Sequence, residues 1–121
     1  MAKIALIPGD GIGAEVVRQA VKVLCCVGEA SGLELELVKW DLGAERYLRT
    51  GVAVTEAEMA ELETGYDAIL LGALGDPRVP DHAHAREILL GLRFRLDLYV
   101  NLRPVRLYDP TFSPLKDVAA D

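Results

Sequence analysis

The 121-residue sequence has little cysteine, a deficit of basic charge and no long apolar run, and each shortage excludes something. Its two cysteines, Cys25 and Cys26, are adjacent within a helical pattern. Neighbours on a helix point about 100° apart and do not offer the geometry of a disulfide. A disulfide framework is therefore excluded and a reducing compartment expected, with both side chains read as small buried groups rather than as a redox pair. Thirteen Lys and Arg against nineteen Asp and Glu leave a formal charge of -6. A phosphate-backbone binder needs a dense basic face, so nucleic acid is not an expected partner. No apolar run approaches the roughly 20 residues that cross a bilayer. Met1-Ala2-Lys3 leads directly into a strand-like run, which reads as a soluble, cytoplasmic chain without a membrane partner. Repeats, linkers and low-complexity segments are absent too, and 51% hydrophobic content is enough for one core.

What is present alternates. Lys3 to Pro8 is a short apolar run that enters the glycine turn Gly9-Asp10-Gly11-Ile12-Gly13. From Ala14 the period becomes helical, through Val17, Val21, Leu24 and Val27/Gly28, and Gly32 ends it. Leu33 to Trp40 alternates apolar and polar residues, the mark of a strand nearer an edge than the first. Gly43 to Arg49 and Thr55 to Leu62 predict two short helices, the second opened by a capping box of Thr55 and Glu58. Tyr66 to Leu71 predicts a third strand, followed by an irregular loop over Asp76 to Asp81. A helix is expected from about His82 to Arg95, with Ala85, Ile88, Leu89 and Leu92 on one face, and a strand from about Leu98 to Leu107. Strands alternating with helices predict an α/β fold on a mostly parallel sheet.

Several residues could carry chemistry. The Gly9 to Gly13 turn joins a strand to a helix, where free N–H groups could face an anion, but it does not match the G-x-G-x-x-G dinucleotide fingerprint. A turn required by backbone geometry alone explains it equally well. Arg93 and Arg103 are ten positions apart, across the change from helical to strand period. Two planar guanidinium forks, with Arg95 as a possible third, would suit a substrate with two carboxylates; ordinary surface arginine is the alternative. Against that alternative, Arg103 stands in an apolar strand pattern, where a charge needs a partner. His82 and His84 form an H-x-H pair, for which a solvated loop is preferred to a metal site. Lys116 and Asp117 read as a solvated tail.

Three motifs carry a family resemblance: I-P-G-D-G-I-G-x-E at Ile7 to Glu15, G-A-x-G-D-P at Gly72 to Pro77, and L-R-F-R-L-D-L-Y-V-N-L-R-P at Leu92 to Pro104. In this order they resemble the β-decarboxylating dehydrogenases of the isocitrate/isopropylmalate family over nearly the whole chain. The resemblance implies the family's α/β fold, distinct from the Rossmann fold, and an NAD-dependent oxidative decarboxylation of a 2-hydroxy acid. By the same resemblance Arg93 and Arg103 bind the carboxylate that is lost as carbon dioxide, while Ile12, Gly72 and Ala73 approach the NAD. Isocitrate enzymes carry a serine and an asparagine where this chain has Glu87 and Leu89. Leu89 and Leu90 would instead line an apolar pocket, favouring the isopropyl group of 3-isopropylmalate and hence leucine biosynthesis. The Y-V-N-L-R-P-V-R-L run also resembles tartrate and D-malate members of the family.

The resemblance further implies that the chain is an N-terminal part, with an incomplete fold. Residues 1–97 would belong to a first α/β domain, and residues 98–121 would begin the crossover into a second. The acid/base tyrosine and lysine, a third arginine and the aspartates that hold Mg²⁺ or Mn²⁺ are expected beyond residue 121, so the chain alone is expected to be inactive. A free chain would also leave strands unpaired and apolar surface exposed. A homodimer is the expected assembly. The alternative is a non-catalytic truncated module that binds a dicarboxylate or docks on a partner.

Overall fold

Strand β1 (Ala2–Ile7) is the centre of the computed structural model, which describes residues 1–116. Among these residues it pairs in parallel with β2 (Leu35–Lys39) on one side and β3 (Ala68–Leu71) on the other, giving the order β2-β1-β3. Ile4 stands opposite Leu37 in one pair and Ala68 in the other, and Ala5 opposite Val38 and Ile69. A central parallel strand is covered on both faces, which is why β1 reads as a continuous apolar run. The alternating β2 lies at an edge, as its pattern predicts.

The two faces follow from the period of two along each strand. Ala5, Ile7, Ile69 and Leu71 share one face with Trp40 beyond β2, and all belong to the main core or pack against it. That core is closed by α2 (Ala44–Thr50), α3 (Glu56–Thr64) and α4 (Ala83–Arg95), through Ala53, Met59, Leu62, Ile88 and Leu92. The long helix α1 (Ile12–Ser31) lies against the face of Leu35, with Val17 and Gly28 buried. It starts two residues before the expected change of period and ends at Gly32, whose left-handed backbone turns its N–H back to Glu29 and Gly28. The capping box forms as expected: Thr55 accepts from the Glu58 N–H, and the Glu58 carboxylate accepts from the Thr55 N–H.

Four expectations are corrected. Cys25 and Cys26 are both exposed free thiols, because the sheet takes only the Val17 and Gly28 side of α1. Leu89 is 51% exposed and does not share the buried face of Ala85, Ile88 and Leu92. Residues 98–107 form no strand: a strand needs a ladder of N–H and C=O bonds to a neighbour, and among the described residues this segment pairs with no strand of the sheet. The segment instead runs exposed, with Leu102 and Val105 both more than 80% accessible. His84 is fully buried rather than solvated, one turn before Ile88 on the core stripe of α4, while His82 is exposed. Lys116 is exposed and Asp117 lies outside the described residues.

Candidate functional site

The end of α4 and the segment after it build one pocket. Helix α4 ends at Arg95, Asp97 takes a left-handed backbone (φ 51°), and Leu98 donates back to the Arg93 carbonyl. This reversal folds residues 98–103 across the edge of the sheet beside Ile69 and Leu71. A pocket of about 340 Å³ results, lined by both leucines, Leu89 and Leu90, and both arginines, Arg93 and Arg103, together with Asn101. Its walls are apolar, and two cations stand at its rim. Arg103 donates from Nε to Asn101 Oδ1 at 3.3 Å. Neither Arg93 nor Arg103 makes an ion pair with a carboxylate among the described residues. Other arginines are engaged: Arg46 with Glu58, Arg49 with Asp41, Arg78 with Asp76 and Glu45, and Arg95 with Glu56. Arg95 is therefore tied to α3 and does not join the other two. Two unpaired guanidinium forks beside an apolar wall can receive an anion that carries a hydrocarbon branch.

The loops at the carboxyl ends of the strands are gathered separately, around Asp10. Its N–H donates to the Ala73 carbonyl at 2.7 Å. Its Oδ1 accepts from the Ala44 N–H at 2.6 Å, and its Oδ2 accepts from the Gly75 N–H at 2.9 Å and lies 2.7 Å from His84 Nε2. One carboxylate thus joins the loops after β1, β2 and β3 to helix α4. Burial acts to raise the Asp10 carboxyl, but the bonds from Ala44, His84 and Gly75 outweigh it and hold it below the usual carboxylate range. A carboxylate can only accept, so His84 carries its proton on Nε2. Its buried Nδ1 has no partner among the described residues. Sequence reasoning missed this pair. The signal was there: His84, Ile88 and Leu92 recur at intervals of four, which places the imidazole on the core stripe.

The residues expected to approach NAD lie along this junction. Gly72 is there because nothing larger fits: a methyl on its Cα would stand 2.1 Å from the Pro8 carbonyl oxygen. Gly9 has φ +73° and runs equally close to the Ala73 carbonyl. Ala73 is exposed, and Ile12 is 66% exposed at an α1 N-terminus that no side chain caps. An exposed apolar side chain at a helix N-terminus, where the Gly13 N–H is already bonded to the Asp10 carbonyl, fits one part of a dinucleotide, its apolar ring or its phosphates. No group of three or more His, Cys, Asp or Glu able to hold a metal ion occurs among the described residues. A second cleft, of about 400 Å³, opens beside Gly9, Asp10 and Gly11 toward Trp40, Glu45, Arg46 and Arg78; it contains none of Arg93, Arg103, Leu89, Leu90, Ile12, Gly72 and Ala73, and its arginines are already paired. No helix among the described residues is long and apolar enough to cross a membrane.

Comparison with known proteins shows the family and the fold. The family model described as isocitrate/isopropylmalate dehydrogenase matches residues 3–121. The 3-isopropylmalate dehydrogenase of Thermobifida fusca is 50% identical over 98% of this chain and 33% of its own length. That of Corynebacterium kroppenstedtii is 52% identical over 95% of this chain and 34% of its own. The crystal structure of a beta-decarboxylating dehydrogenase from Thermococcus kodakarensis superposes with a TM-score of 0.65 at 33% identity, covering 82% of this chain and 28% of that one. The chain thus spans about a third of the length of the curated relatives it matches.

Proposed function

Because the chain belongs to the isocitrate/isopropylmalate dehydrogenase family, we propose that it supplies the substrate clamp and part of the cofactor face of an NAD-dependent enzyme that oxidises and decarboxylates 3-isopropylmalate. The observation that carries this reading is the convergence of Arg93, Arg103, Leu89 and Leu90 on one pocket. Arg93 and Arg103 hold the carboxylate that leaves, each through charge-assisted hydrogen bonds. Leu89 and Leu90 take the isopropyl branch, whose burial contributes about 1.5–3 kcal/mol. That is enough to prefer it over a shorter 2-hydroxy acid by about tenfold or more. Bound NAD would supply the hydride acceptor for the hydroxyl-bearing carbon of the substrate. Ile12, Gly72 and Ala73 would hold it on the Asp10 side.

The same reading assigns residues 1–97 to a first α/β domain and residues 98–121 to the start of a crossover into a second. The acid/base groups and the ligands of a divalent metal belong, on this proposal, to the two thirds of the relatives that this chain does not match. It also places the protein in leucine biosynthesis, in the cytoplasm and as a homodimer, by extension from relatives named 3-isopropylmalate dehydrogenase.

In an active enzyme carrying this sequence, Arg103→Ala should lower kcat/KM for 3-isopropylmalate by about 10- to 100-fold, equivalent to one or more lost hydrogen bonds to a charged group. Steady-state kinetics with 3-isopropylmalate and D-malate side by side makes the test. Near-normal kinetics in the variant removes the clamp, and a preference for D-malate transfers the apolar pocket to another role.

A further inference from the structure

The arginine pocket and the Asp10 junction share one rigid element, α4. Arg93 and the two leucines lie in its last three turns, and His84 lies in its first. His84 is fully buried, is held at 2.7 Å by Asp10, and packs beside the Tyr47 ring with centroids 5.9 Å apart. Through Asp10 Oδ2 it shares an acceptor with the Gly75 N–H, three residues beyond Gly72. Few other bonds fix where α4 starts: it is entered through Asp81 and His82, both with left-handed backbone, and no side chain caps it. A core position on such a helix is ordinarily apolar. An imidazole there, with one nitrogen left without a partner, costs stability that a leucine would not.

We propose that His84 and Asp10 form a positioning pair that locks the helix bearing Leu89, Leu90 and Arg93 to the loop bearing Gly72 and Ala73, so that the substrate and cofactor sides keep one geometry. The inference rests on the proposed function for its meaning, but the lock itself does not. His84 donates from Nε2 to the Asp10 carboxylate, the carboxylate gathers Gly75 and Ala44, and the helix cannot slide along its axis without breaking the set. His84 touches neither ligand and acts only through Asp10.

The test compares His84→Leu with His84→Gln in an active enzyme carrying this sequence, since the glutamine amide can still donate to Asp10 and leucine cannot. Amide hydrogen exchange is followed at Gly75 and Ala44, with the Ala5 and Ile7 amides of β1 as internal reference, and 3-isopropylmalate is titrated against the Arg93 side-chain resonance. His84→Leu should speed exchange at Gly75 and Ala44 by about tenfold or more relative to β1, as loss of a bond to a charged group requires. It should weaken 3-isopropylmalate binding several-fold, and His84→Gln should recover most of both. Unchanged exchange in His84→Leu overturns the lock. Faster exchange with unchanged affinity overturns its link to the site. If His84→Leu unfolds, exchange will rise in β1 as well, and the decision passes to His84→Gln: native exchange supports the pair, and loosened Gly75 and Ala44 overturn it. If the unsubstituted enzyme gives no response to 3-isopropylmalate, the proposed function fails and with it the positioning role, while the exchange data still decide the lock.

Discussion

The Asp10 carboxylate stays charged although almost buried, because Ala44, Gly75 and His84 all donate to it. Glu58 does the same in a more open place. Arg46 grips both its oxygens, at 2.5 and 2.8 Å, and holds its carboxyl down to about 2 against a smaller opposing effect of burial. Both groups have folded-state values below their unfolded ones, so their stabilisation is complete above the ordinary carboxylate range and is lost as pH falls. For Glu58 the window runs from 4.5 down to about 2. Urea unfolding at pH 6 and pH 3 should therefore show a marked loss of stability in the parent chain, and Glu58→Gln should flatten that loss. Equal slopes in the two proteins would show that the Arg46 pair adds nothing on folding. Glycines and arginines were legible as candidates in the sequence, but which arginine faces a pocket and which faces a glutamate was not. Arg93 and Arg95 are two positions apart on one helix and differ by about 200° in direction, so one lines the pocket with Arg103 while the other pairs with Glu56.

At the scale of the element, patterns that satisfy their own backbone were readable. Helix α3 announces itself through Thr55 and Glu58, which close its first turn without help from elsewhere. Thr55→Ala removes a hydroxyl that accepts from the Glu58 N–H and should cost about 1 kcal/mol, measured as a shift of the urea midpoint at constant slope. Residues 98–107 show the opposite case. Their alternating apolar pattern reads as a strand, but a strand is completed by a ladder of bonds to its neighbour, and among the described residues this segment pairs with no strand of the sheet. The segment still serves the pocket, because the left-handed turn at Asp97 and the bond from Leu98 to Arg93 carry Arg103 back toward α4. Helix α1 shows a milder form of the same limit. Its helical period was plain, yet Ile12, Val16, Val23 and Val27 lie on faces that the sheet does not reach.

For the whole molecule, stability rests on the face of the sheet covered by α2, α3 and α4. Ile88 is completely buried there, beside Ala5, Ile7, Leu62 and Leu92. Ile88→Ala should cost about 2–5 kcal/mol, whereas Val23→Ala on the exposed side of α1 should stay within about 0.5 kcal/mol. Chemical denaturation of the two variants distinguishes them, and similar losses would place the core elsewhere. The sequence by itself determined the α/β alternation, the edge character of the second strand, the capping box of α3 and the family, because period, turn residues and motifs are local properties of the chain. Only the tertiary structure decided that Leu89, Leu90, Arg93 and Arg103 share a pocket, that Arg95 does not, and that His84 is buried against Asp10, 74 positions away. Those facts depend on where the chain returns in space, and the pattern along a single element does not encode what will stand opposite it.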